Sequence, residues 1–365
     1  MIDLDGSDGG GQLVRSALSL SALDGTPFRM EQVRGNRATP GLKRQHLACV
    51  DAVAALTDAD VEGAAVGSDT LRFEPGVRPD AAASPDEVAV DVGTAGSVTL
   101  VADTLLPLAT RIDGPVRAHL TGGTDVRWSP SADYLRRVKL PLLRAFGLDA
   151  DVDVERRGFF PAGGGELDVR LRPSTLDPIE LGAHKRDVPR ADASSPGPDG
   201  SVSVYAVAAN DLGDGDAADR AADAVVAALD DRGIDSDATA TTASVDADSP
   251  GVVVTVAVGD TAELGGETGR TPPQAGFVAY ADADDSLSSL SETAVDAADR
   301  WLATEAPVDA HLGDQLVVGV ALAGGTVPIP RVTDHVRTNV DLVSAFGYDV
   351  SIEERGCGVP TIVSS

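Results

Sequence analysis

A histidine followed closely by a threonine and an asparagine stands near the carboxyl end of the chain, in the segment HVRTN. His335 is followed by Thr338 and Asn339. A neutral imidazole nitrogen can act as a covalent nucleophile and attack a phosphorus atom. A lone histidine near a helix start is more often structural or solvated, so a catalytic role depends on which residues the rest of the chain contributes. That chain offers what such chemistry needs: arginines, glycine-rich turns and a candidate metal carboxylate.

Polar and cationic side chains surround the predicted start of a helix at Pro40 and Gly41. They are Arg34, Arg37, Arg44, Gln45 and His46. Because the rest of the surface is acidic, this cluster favours phosphate binding over an ordinary solvated face. An earlier stretch, SDGGGQ at Ser7–Gln12, also leads into a predicted helix. Glycines before a helix let backbone N–H groups approach a phosphate, although a plain tight turn is the simpler interpretation.

The composition is strongly acidic and very poor in lysine. The 365 residues carry a net charge of −29, with 3 Lys against 26 Arg and 45 Asp against 13 Glu. One explanation is a protein that binds no polyanion. The other is adaptation to molar salt, where the Debye length falls to ~3 Å and dense carboxylates keep the surface hydrated. Retention of arginine, which presents a fixed fork of donors, favours the halophilic explanation.

The sequence contains no sign of a membrane segment. No apolar run reaches the ~18 residues that a membrane-spanning helix needs, and Met1 leads directly into the strand-like MIDLDG. We therefore expect a cytoplasmic protein that has no membrane partner. Cys49 and Cys357 are the only cysteines, and separate thiols are favoured over a disulfide. The sequence leaves the oligomeric state open.

Alternating strand and helix patterns predict an α/β (α+β) fold with internal repeats. Leu142–Gly158 echoes Leu342–Gly356, since each runs from a helix through an AFG stop into an alternating strand. Three apolar helices, which begin near Gln12, Gly96 and Leu312, correspond as well. We therefore predict three copies of a two-helix, four-strand unit, packed as sheet-on-helix layers in one body.

The repeats divide the chain into two predicted domains. A large domain, residues 1–182 and 284–365, contains the three units. A small α/β domain, residues 183–283, is inserted near the third unit, where a segment rich in Asp, Ser, Pro and Gly interrupts the pattern.

Seven blocks along the whole chain resemble the RNA 3′-terminal phosphate cyclase family. They are GGGQLVRSALSLS, RGNRATPGLKRQHL, GTAGSVTL, GGTDVRWSPSADYLRR, RRGFFPAGGGE, HLGDQLVVGVALAGG and HVRTN. Their order and spacing are far more specific than any single motif, although the insert matches only loosely. The resemblance implies a three-unit large domain with an inserted small domain. It also implies ATP-dependent closure of an RNA 3′-phosphate into a 2′,3′-cyclic phosphate.

The resemblance further implies a role for each matching residue. His335 stands at the position of the histidine that becomes adenylated. The residues that would hold phosphates are Arg15, Arg34, Arg37 and Gln45. The adenosine-binding run corresponds to His311, Leu312, Gly313, Asp314 and Gln315. The pair that would sandwich the adenine is Pro130 and Tyr134.

Two positions depart from the pattern of the family. Asp8 stands where the family has a glutamate, in a turn that is two residues shorter. The resemblance implies that Asp8 is a ligand of Mg²⁺ or Mn²⁺, and the alternative is that it caps the following helix. Asp103 stands where the family has an amide near the ATP, so the details of both contacts are open.

Proteins of two other kinds share parts of this pattern. A non-catalytic relative that binds RNA in ribosome assembly would lack the nucleophile, and the intact HVRTN argues against it. An enolpyruvyl transferase uses similar repeated units, but its two-domain symmetry differs and it has no need for HVRTN. Only the cyclase forms a protein-linked AMP, so incubation with labelled ATP distinguishes the three.

Overall fold

The computed structural model describes residues 1–76, 86–182, 202–212, 215–234, 240–259, 274–282, 285–355 and 358–364. The first unit contains β1 (Ile2–Asp5), α1 (Gly11–Asp24), β2 (Phe28–Glu31), α2 (Arg44–Thr57), β3 (Asp60–Glu62) and β4 (Leu71–Glu74). The second contains β5 (Glu87–Asp91), α3 (Val98–Leu105), β6 (Val116–Gly122), α4 (Ala132–Tyr134), α5 (Leu140–Ala145), β7 (Ala150–Arg156) and β8 (Gly165–Leu171).

The third unit begins with β9 (Ile179–Glu180), after which the chain leaves it to build the insert. The insert contains β10 (Val202–Ala209), α6 (Ala217–Asp231), β11 (Ala240–Val245), β12 (Val252–Val258), β13 (Ala275–Ala281) and α7 (Leu287–Leu302). The chain then returns to the third unit with α8 (Ala310–Ala323), β14 (Gly325–Pro328), α9 (Asp334–Ala345), β15 (Val350–Arg355) and β16 (Val359–Ser364).

The three units share one sheet topology. Their strand orders are β1-β2-β4-β3, β5-β6-β8-β7 and β9-β14-β16-β15. In each sheet the first two strands of this order are parallel, and the third strand pairs antiparallel with both of its neighbours. In each unit one helix comes between the two parallel strands in sequence, and a second helical segment follows the second of these strands. The prediction of an α/β fold built from three two-helix, four-strand units is confirmed.

Helix α7 packs on the sheet of the insert. Its residues Leu290, Ala294 and Trp301 are buried in the same apolar cluster as Val254 and Phe277, and the rings of Phe277 and Trp301 lie 5.8 Å apart. The sequence-based boundary at residue 283 assigns this helix to the large domain instead. Because the apolar face of α7 is buried against the insert, we propose that the inserted unit extends through Leu302.

The second unit contains a π turn, Leu135–Lys139, between α4 and α5. The backbone N–H of Leu140 donates to the carbonyl of Leu135, and Pro141 directly follows. Proline lacks an N–H and cannot continue the ordinary helical ladder, which favours such a local widening. The sequence pattern predicts one uninterrupted helix here, and the π turn is the difference.

Two further predictions concern the membrane and the cysteines. Among the described residues, no helix is both long and apolar enough to cross a membrane. Cys49 is a buried free thiol, and burial raises its pKa to about 11, which makes it a poor nucleophile. Cys357 lies outside the described residues.

Candidate active site

A cavity of about 1500 Å³ opens among the three units and the insert. Residues at or beside the starts of α1, α2, α3, α8 and α9 line it, and strand β13 contributes one wall. Helices α1, α3 and α8 each come between the two parallel strands of their sheet, and α2 and α9 follow the second of them, so the repeated topology brings the five starts together. Helix N-termini carry unpaired N–H groups and partial positive charge, which favours anions. The cavity is also larger than the usual ~300–1,000 Å³ of a single small-ligand pocket.

His335 lies in the first turn of α9 and lines this cavity. The start of α9 is fixed by Thr333, whose hydroxyl accepts from the N–H of Val336 at 3.0 Å and donates to Asp314 Oδ1 at 2.5 Å. The pKa of His335 is lowered, first by burial and then by Arg37 and Arg15, against a smaller opposing effect of Asp334. The imidazole is therefore neutral at pH 7, the form in which a ring nitrogen can attack.

The glycine-rich start of α1 faces this histidine. A Cβ atom on Gly10 would lie 3.1 Å from Arg37 Nη2 and 3.4 Å from His335 Cε1. A Cβ atom on Gly11 would lie only 2.1 Å from Nε2 of His46, whose imidazole is buried. Glycine at these two positions therefore lets the start of α1 approach both histidine rings closely, and phosphate binding by SDGGGQ stays a prediction.

The phosphate-binding residues implied by the family resemblance all line the cavity, but their environments differ. They are Arg15, Arg34, Arg37 and Gln45. Arg44, which the sequence analysis placed in the same cluster, is exposed and is not among the residues that line the cavity. Arg37 is exposed and, within the described part of the chain, no carboxylate or carbonyl pairs with its guanidinium. Arg34 is buried and its Nη1 donates to the carbonyl oxygens of Thr39 and Gly41 at 2.8 and 2.7 Å. Arg34 therefore also holds the loop that leads into α2, whereas Arg37 has its donors available for a ligand.

The residues at the start of α2 also differ from one another. Gln45 is half-buried and lines the cavity. His46 is buried, and its Nδ1 accepts from the backbone N–H of Lys43 at 2.9 Å. Burial, together with Arg15, Arg34 and Lys43, lowers the pKa of His46 to about 3. His46 is therefore a permanently neutral capping residue at working pH.

Arg15 and Lys139 both interact electrostatically with Asp103. The buried Lys139 ammonium forms an ion pair with the Asp103 carboxylate, and Asp103 also opposes the lowering of the Arg15 pKa that desolvation causes. All three line the cavity. Asp103 thus neutralises part of the positive charge of its two neighbours, and its contact to a nucleotide remains a prediction.

The predicted adenosine-binding run divides into residues that face the cavity and residues that do not. His311, Asp314 and Gln315 line it, whereas Leu312 is fully buried in the main apolar core. Gly313 is buried as well, and a Cβ there would lie 2.8 Å from a methyl carbon of Ile329. Leu312 and Gly313 therefore shape the helix that carries the run, and their side chains do not reach the cavity.

Two buried acceptors on residues that line the cavity have no hydrogen-bond donor among the described residues. They are Gln315 Oε1 and Asn339 Oδ1. The amide of Asn339 donates to the carbonyl of Asp314 at 3.4 Å, which directs its oxygen the other way. Unpaired buried oxygens are costly, so these two are suited to accept hydroxyl or amino donors from a bound ligand. Burial raises the pKa of Asp314 to about 6.

The chain is similar to known proteins along nearly its whole length. The family model for RNA 3′-terminal phosphate cyclase matches residues 7–352. A protein of that name from Halobacterium salinarum is 44% identical over 361 residues, which cover 97% of each chain. Others come from Ectopseudomonas mendocina, 36% identical over 94% of this chain and 92% of the relative, and from Thermococcus onnurineus, 35% identical over 99% and 97%.

This chain belongs to the RNA 3′-terminal phosphate cyclase family. The resemblance stated from the seven sequence blocks is confirmed, and with it the prediction that the chain belongs to a family of enzymes.

Tyr134, one member of the adenine-binding pair predicted for this cyclase-family chain, is closely packed. Tyr134 is only 2% exposed, and its hydroxyl donates to the buried carboxylate of Asp309 at 2.9 Å. Gly276 of the insert packs so closely that a Cβ there would lie 2.7 Å from two ring carbons of Tyr134. The tyrosine ring therefore joins the second unit to the insert, and its stacking on an adenine stays a prediction. Pro130 lines the cavity, and His311, also on the cavity wall, is an exposed ring.

The metal site predicted for this cyclase-family chain rests on one carboxylate. Asp8 is exposed, lines the cavity and accepts from Asn36 Nδ2 at 2.8 Å. The N-cap of α1 is Gly10, with no side-chain hydrogen bond, so the alternative that Asp8 caps this helix is wrong. Among the described residues, no group of three or more His, Cys, Asp and Glu side chains is arranged to hold a metal ion. Asp8 fits a hard divalent ion only if phosphate oxygens and water supply the remaining ligands.

Two site residues of this cyclase-family chain escaped the sequence analysis. Lys139 is one of only three lysines, and its position in the apolar stretch VKLPLL is a signal that a buried cation was needed there. Asp309 is fully buried and accepts from Tyr134, from the N–H of Gly276 and from two N–H groups of α8. Its N-terminal position before HLGDQ is typical of a helix cap, but its contact with the insert is not readable from sequence.

Proposed function

We propose that this chain uses ATP to convert an RNA 3′-terminal phosphate into a 2′,3′-cyclic phosphodiester, with His335 as the covalent carrier of AMP. One observation carries the proposal. His335, neutral because its pKa is lowered, lies against the glycine-rich start of α1 and beside Arg37 in a cavity formed by helix N-termini. A neutral nucleophile in a cationic, anion-binding site is what attack on a triphosphate requires.

In the first step, an imidazole nitrogen of His335 forms a bond to the α-phosphorus of ATP. The bond from that phosphorus to the oxygen of the β-phosphate breaks, and pyrophosphate leaves with its electron pair. The ring loses its N–H proton to solvent as the phosphoramidate becomes neutral at nitrogen. Arg37 and Arg15 are the two charged residues that lower the pKa of this ring most. We assign to them the stabilisation of the charge that develops on the phosphate oxygens.

In the second step, an oxygen of the RNA 3′-phosphate attacks the phosphorus of the histidine-bound AMP. The P–N bond breaks, the imidazole regains a proton, and the RNA end becomes adenylated. The neighbouring 2′-hydroxyl then attacks the 3′-phosphorus, its proton goes to solvent, and AMP leaves. Because the hydroxyl and the phosphorus belong to the same nucleotide, the closure profits from an effective molarity that reaches ~10⁵ M or more for oriented groups.

The adenosine of ATP is assigned to the wall that α8 provides. His311 and Pro130 border the cavity there, and the unpaired Gln315 Oε1 and Asn339 Oδ1 can accept from ribose or base donors. A divalent ion, Mg²⁺ or Mn²⁺, would be held by Asp8 and phosphate oxygens, and when bound it would neutralise phosphate charge. Gln45 and Arg34 complete the phosphate side. A cytoplasmic location and RNA with a 3′-phosphate end as substrate belong to the same proposal.

The test is the covalent intermediate itself. Incubation with ATP labelled at the α-phosphate should label the wild-type protein through an acid-labile, alkali-stable bond, as a phosphoramidate requires. His335→Asn should abolish this labelling and the cyclisation of a 3′-phosphorylated oligoribonucleotide. His119→Asn is the matched control, because His119 lies on β6 and does not line the cavity.

Two outcomes would reject the proposal. Labelling retained in His335→Asn would move the nucleophile to another residue. RNA binding without any labelling of the wild-type protein would favour the non-catalytic relative that assembles with RNA.

A further inference from the structure

Two exposed aromatic side chains border the cavity. Within the described residues, the large apolar side chains that are exposed are Met1, Val66, Trp128 and Phe160. Trp128 is 98% exposed and Phe160 is 64% exposed, and both line the cavity. Aromatic residues make up only 4% of the chain. Exposed rings at a cavity border are therefore not a by-product of a ring-rich composition.

The turn that carries Trp128 is fixed on both sides. Trp128 itself has a left-handed backbone, φ 71°, which is uncommon for a bulky residue and is a pointer to function rather than to stability. The next residue, Ser129, donates to the carbonyl of Val126 at 2.8 Å, and its own carbonyl accepts from Tyr280 of the insert at 2.8 Å. Arg127 forms an ion pair with Asp285. The indole is thus presented to solvent from a rigid support between the second unit and the insert.

Phe160 is supported in a similar way by its neighbours. Phe159, the preceding residue, is buried with Val207, Ala209 and Val253 of the insert in one apolar cluster. On the other side, the N–H of Ala162 donates to Ser249 Oγ at 3.0 Å. Because its neighbours in sequence are anchored to the insert, the ring of Phe160 is held where the second unit meets the insert, and it lines the cavity there.

We propose that Trp128 and Phe160 form a stacking platform for the terminal bases of the RNA substrate. The inference rests on the proposed function, since it concerns the second ligand of the same site. The helix starts and arginines offer donors for phosphates but no flat apolar face for a base. The cavity, at about 1500 Å³, has room for more than one nucleotide. The two rings provide the missing face, and any base can stack on them.

The charge of the protein gives stacking a particular value. With a net charge of −29, the surface repels RNA at low salt, and phosphate contacts lose affinity steeply as salt rises. Stacking buries apolar area and depends little on ionic strength, so it retains RNA affinity under conditions in which Coulomb attraction is screened. Two carboxylates that line the cavity, Asp282 and Asp285, are paired with Arg127, the residue before Trp128, which reduces their repulsion of an incoming strand.

The fluorescence of Trp128 reports directly on this contact. The chain has two tryptophans, and Trp301 is buried in the insert. A 3′-phosphorylated oligoribonucleotide should quench the wild-type emission, and the same oligonucleotide with abasic residues at its 3′ end should not. Trp128→Phe, which leaves only the buried Trp301, should show no quenching with either. Quenching by ATP alone, or equal quenching by the abasic oligonucleotide, would overturn the proposal.

Kinetics provide the second test. Trp128→Ala and Phe160→Ala should each raise the KM for RNA roughly tenfold, the scale of a lost base–aromatic stack, while labelling by ATP in the absence of RNA keeps its rate. Trp128→Phe should recover most of the RNA affinity. Val66→Ala, which removes an exposed apolar side chain away from the cavity, is the control and should change neither quantity.

The outcomes separate this inference from the proposed function. If the wild-type protein forms no AMP adduct, the proposed function fails, and quenching by RNA still decides the platform. If the wild-type protein cyclises RNA while the two alanine variants keep a wild-type KM, the platform is wrong and the proposed function stands.

Discussion

The ring carbon Cε1 of His335 lies 3.4 Å from the position that a Cβ atom on Gly10 would occupy. The glycine-rich turn before α1 and helix α9 are therefore so close here that a methyl group on Gly10 would fill the space between them. We predict that Gly10→Ala lowers the rate of AMP attachment by roughly tenfold or more, because misplacement of about 1 Å in a site can cost ~10²-fold. The backbone of Gly10, φ −91°, is accessible to alanine, so the melting temperature should stay within about 1–2 °C of wild type.

Gly11→Ala is the contrasting variant. Its Cβ would lie 2.1 Å from Nε2 of the buried His46, whose other ring nitrogen caps the start of α2. Overpacking of this kind costs about 1–3 kcal/mol, so this variant should lose stability in chemical denaturation as well as activity. Equal stability losses in the two variants, or unchanged AMP attachment in Gly10→Ala, would contradict the contact described for His335.

The pH dependence of AMP attachment should follow the protonation of His335. Burial, Arg37 and Arg15 lower the pKa of this imidazole below the ordinary 6.5. Since only the neutral ring attacks, the rate should be flat above neutrality and fall as pH drops through the lowered pKa. Removing a positive charge raises that pKa, so Arg37→Gln should move the acid limb to higher pH. Single-turnover rates at saturating ATP, measured from about pH 5 to 8, give the midpoint.

Burial raises the pKa of Asp314 to about 6, so the pH–rate profile alone does not identify which group titrates. An NMR titration of the His335 imidazole without ATP is therefore the control for this profile. A wild-type imidazole that titrates above 6.5, or one whose midpoint does not move in Arg37→Gln, would remove the proposed electrostatic cause.

Much of the fold was accessible from sequence because it depends on local patterns. The apolar helices α1, α3 and α8 and the AFG stops before β7 and β15 repeat visibly, and repetition predicts three like units. Strand β9 was not predicted. It has only two residues and pairs with β14, which lies beyond the insert in sequence. Such a short strand has no local sequence pattern and is identified only by its pairing with a distant strand. Strand β16 was likewise missed, although it is the strand that joins β14 and β15.

The site divides along the same line. Motif spacing located His335 and the arginines, because reactive residue types in fixed order leave a local signal. Lys139, whose ion pair with Asp103 joins two helices, and Asp309, which pairs with Tyr134, depend on contacts between distant segments. Tyr134 shows the same limit: a motif gives the residue type, but the close packing of Gly276 of the insert against its ring comes from a distant segment.

The link between Tyr134 and Asp309 should be important for stability. Tyr134→Phe removes one donor to a carboxylate that keeps three N–H partners, and should cost about 1–2 kcal/mol in denaturant unfolding. Asp309→Ala leaves the hydroxyl and three N–H groups without their acceptor, and should cost roughly 3 kcal/mol or more. In the double variant the losses should be less than additive, because both changes remove the same bond.

Tyr348→Phe provides the comparison for this pair, since its hydroxyl donates at 2.7 Å to the exposed Asp24 and should cost less than about 0.5–1 kcal/mol. A loss in Tyr134→Phe no larger than in Tyr348→Phe would mean that the buried link contributes little.

Asp8 is predicted to contribute one ligand to a divalent ion. Asp8→Asn keeps the side-chain volume but ligates Mg²⁺ poorly, so AMP attachment at limiting metal should fall and excess Mn²⁺ should partly restore it. Stability should not change, because Asp8 is exposed and does not cap α1. A direct readout is the apparent affinity for Mn²⁺ in the presence of a non-hydrolysable ATP analogue, followed by electron paramagnetic resonance.

Asp3→Asn is the matched control, an exposed aspartate on β1 that does not line the cavity. If Asp8→Asn bound Mn²⁺ and attached AMP as the wild type does, the metal role of Asp8 would have to be abandoned.

The acidic surface should make the stability of the protein depend on salt. At a net charge of −29, repulsion among carboxylates opposes the compact state, and screening at molar salt removes most of it as the Debye length falls to ~3 Å. We predict that the melting temperature rises steadily from low to molar KCl, and that an equal osmolality of sucrose does not reproduce the rise. A variant with Asp3, Asp60 and Asp223 changed to Asn, all exposed and outside the cavity, should need less KCl to reach the same melting temperature. A wild-type protein with the same melting temperature at low and molar KCl would refute the halophilic interpretation, and the acidic composition would then require another cause.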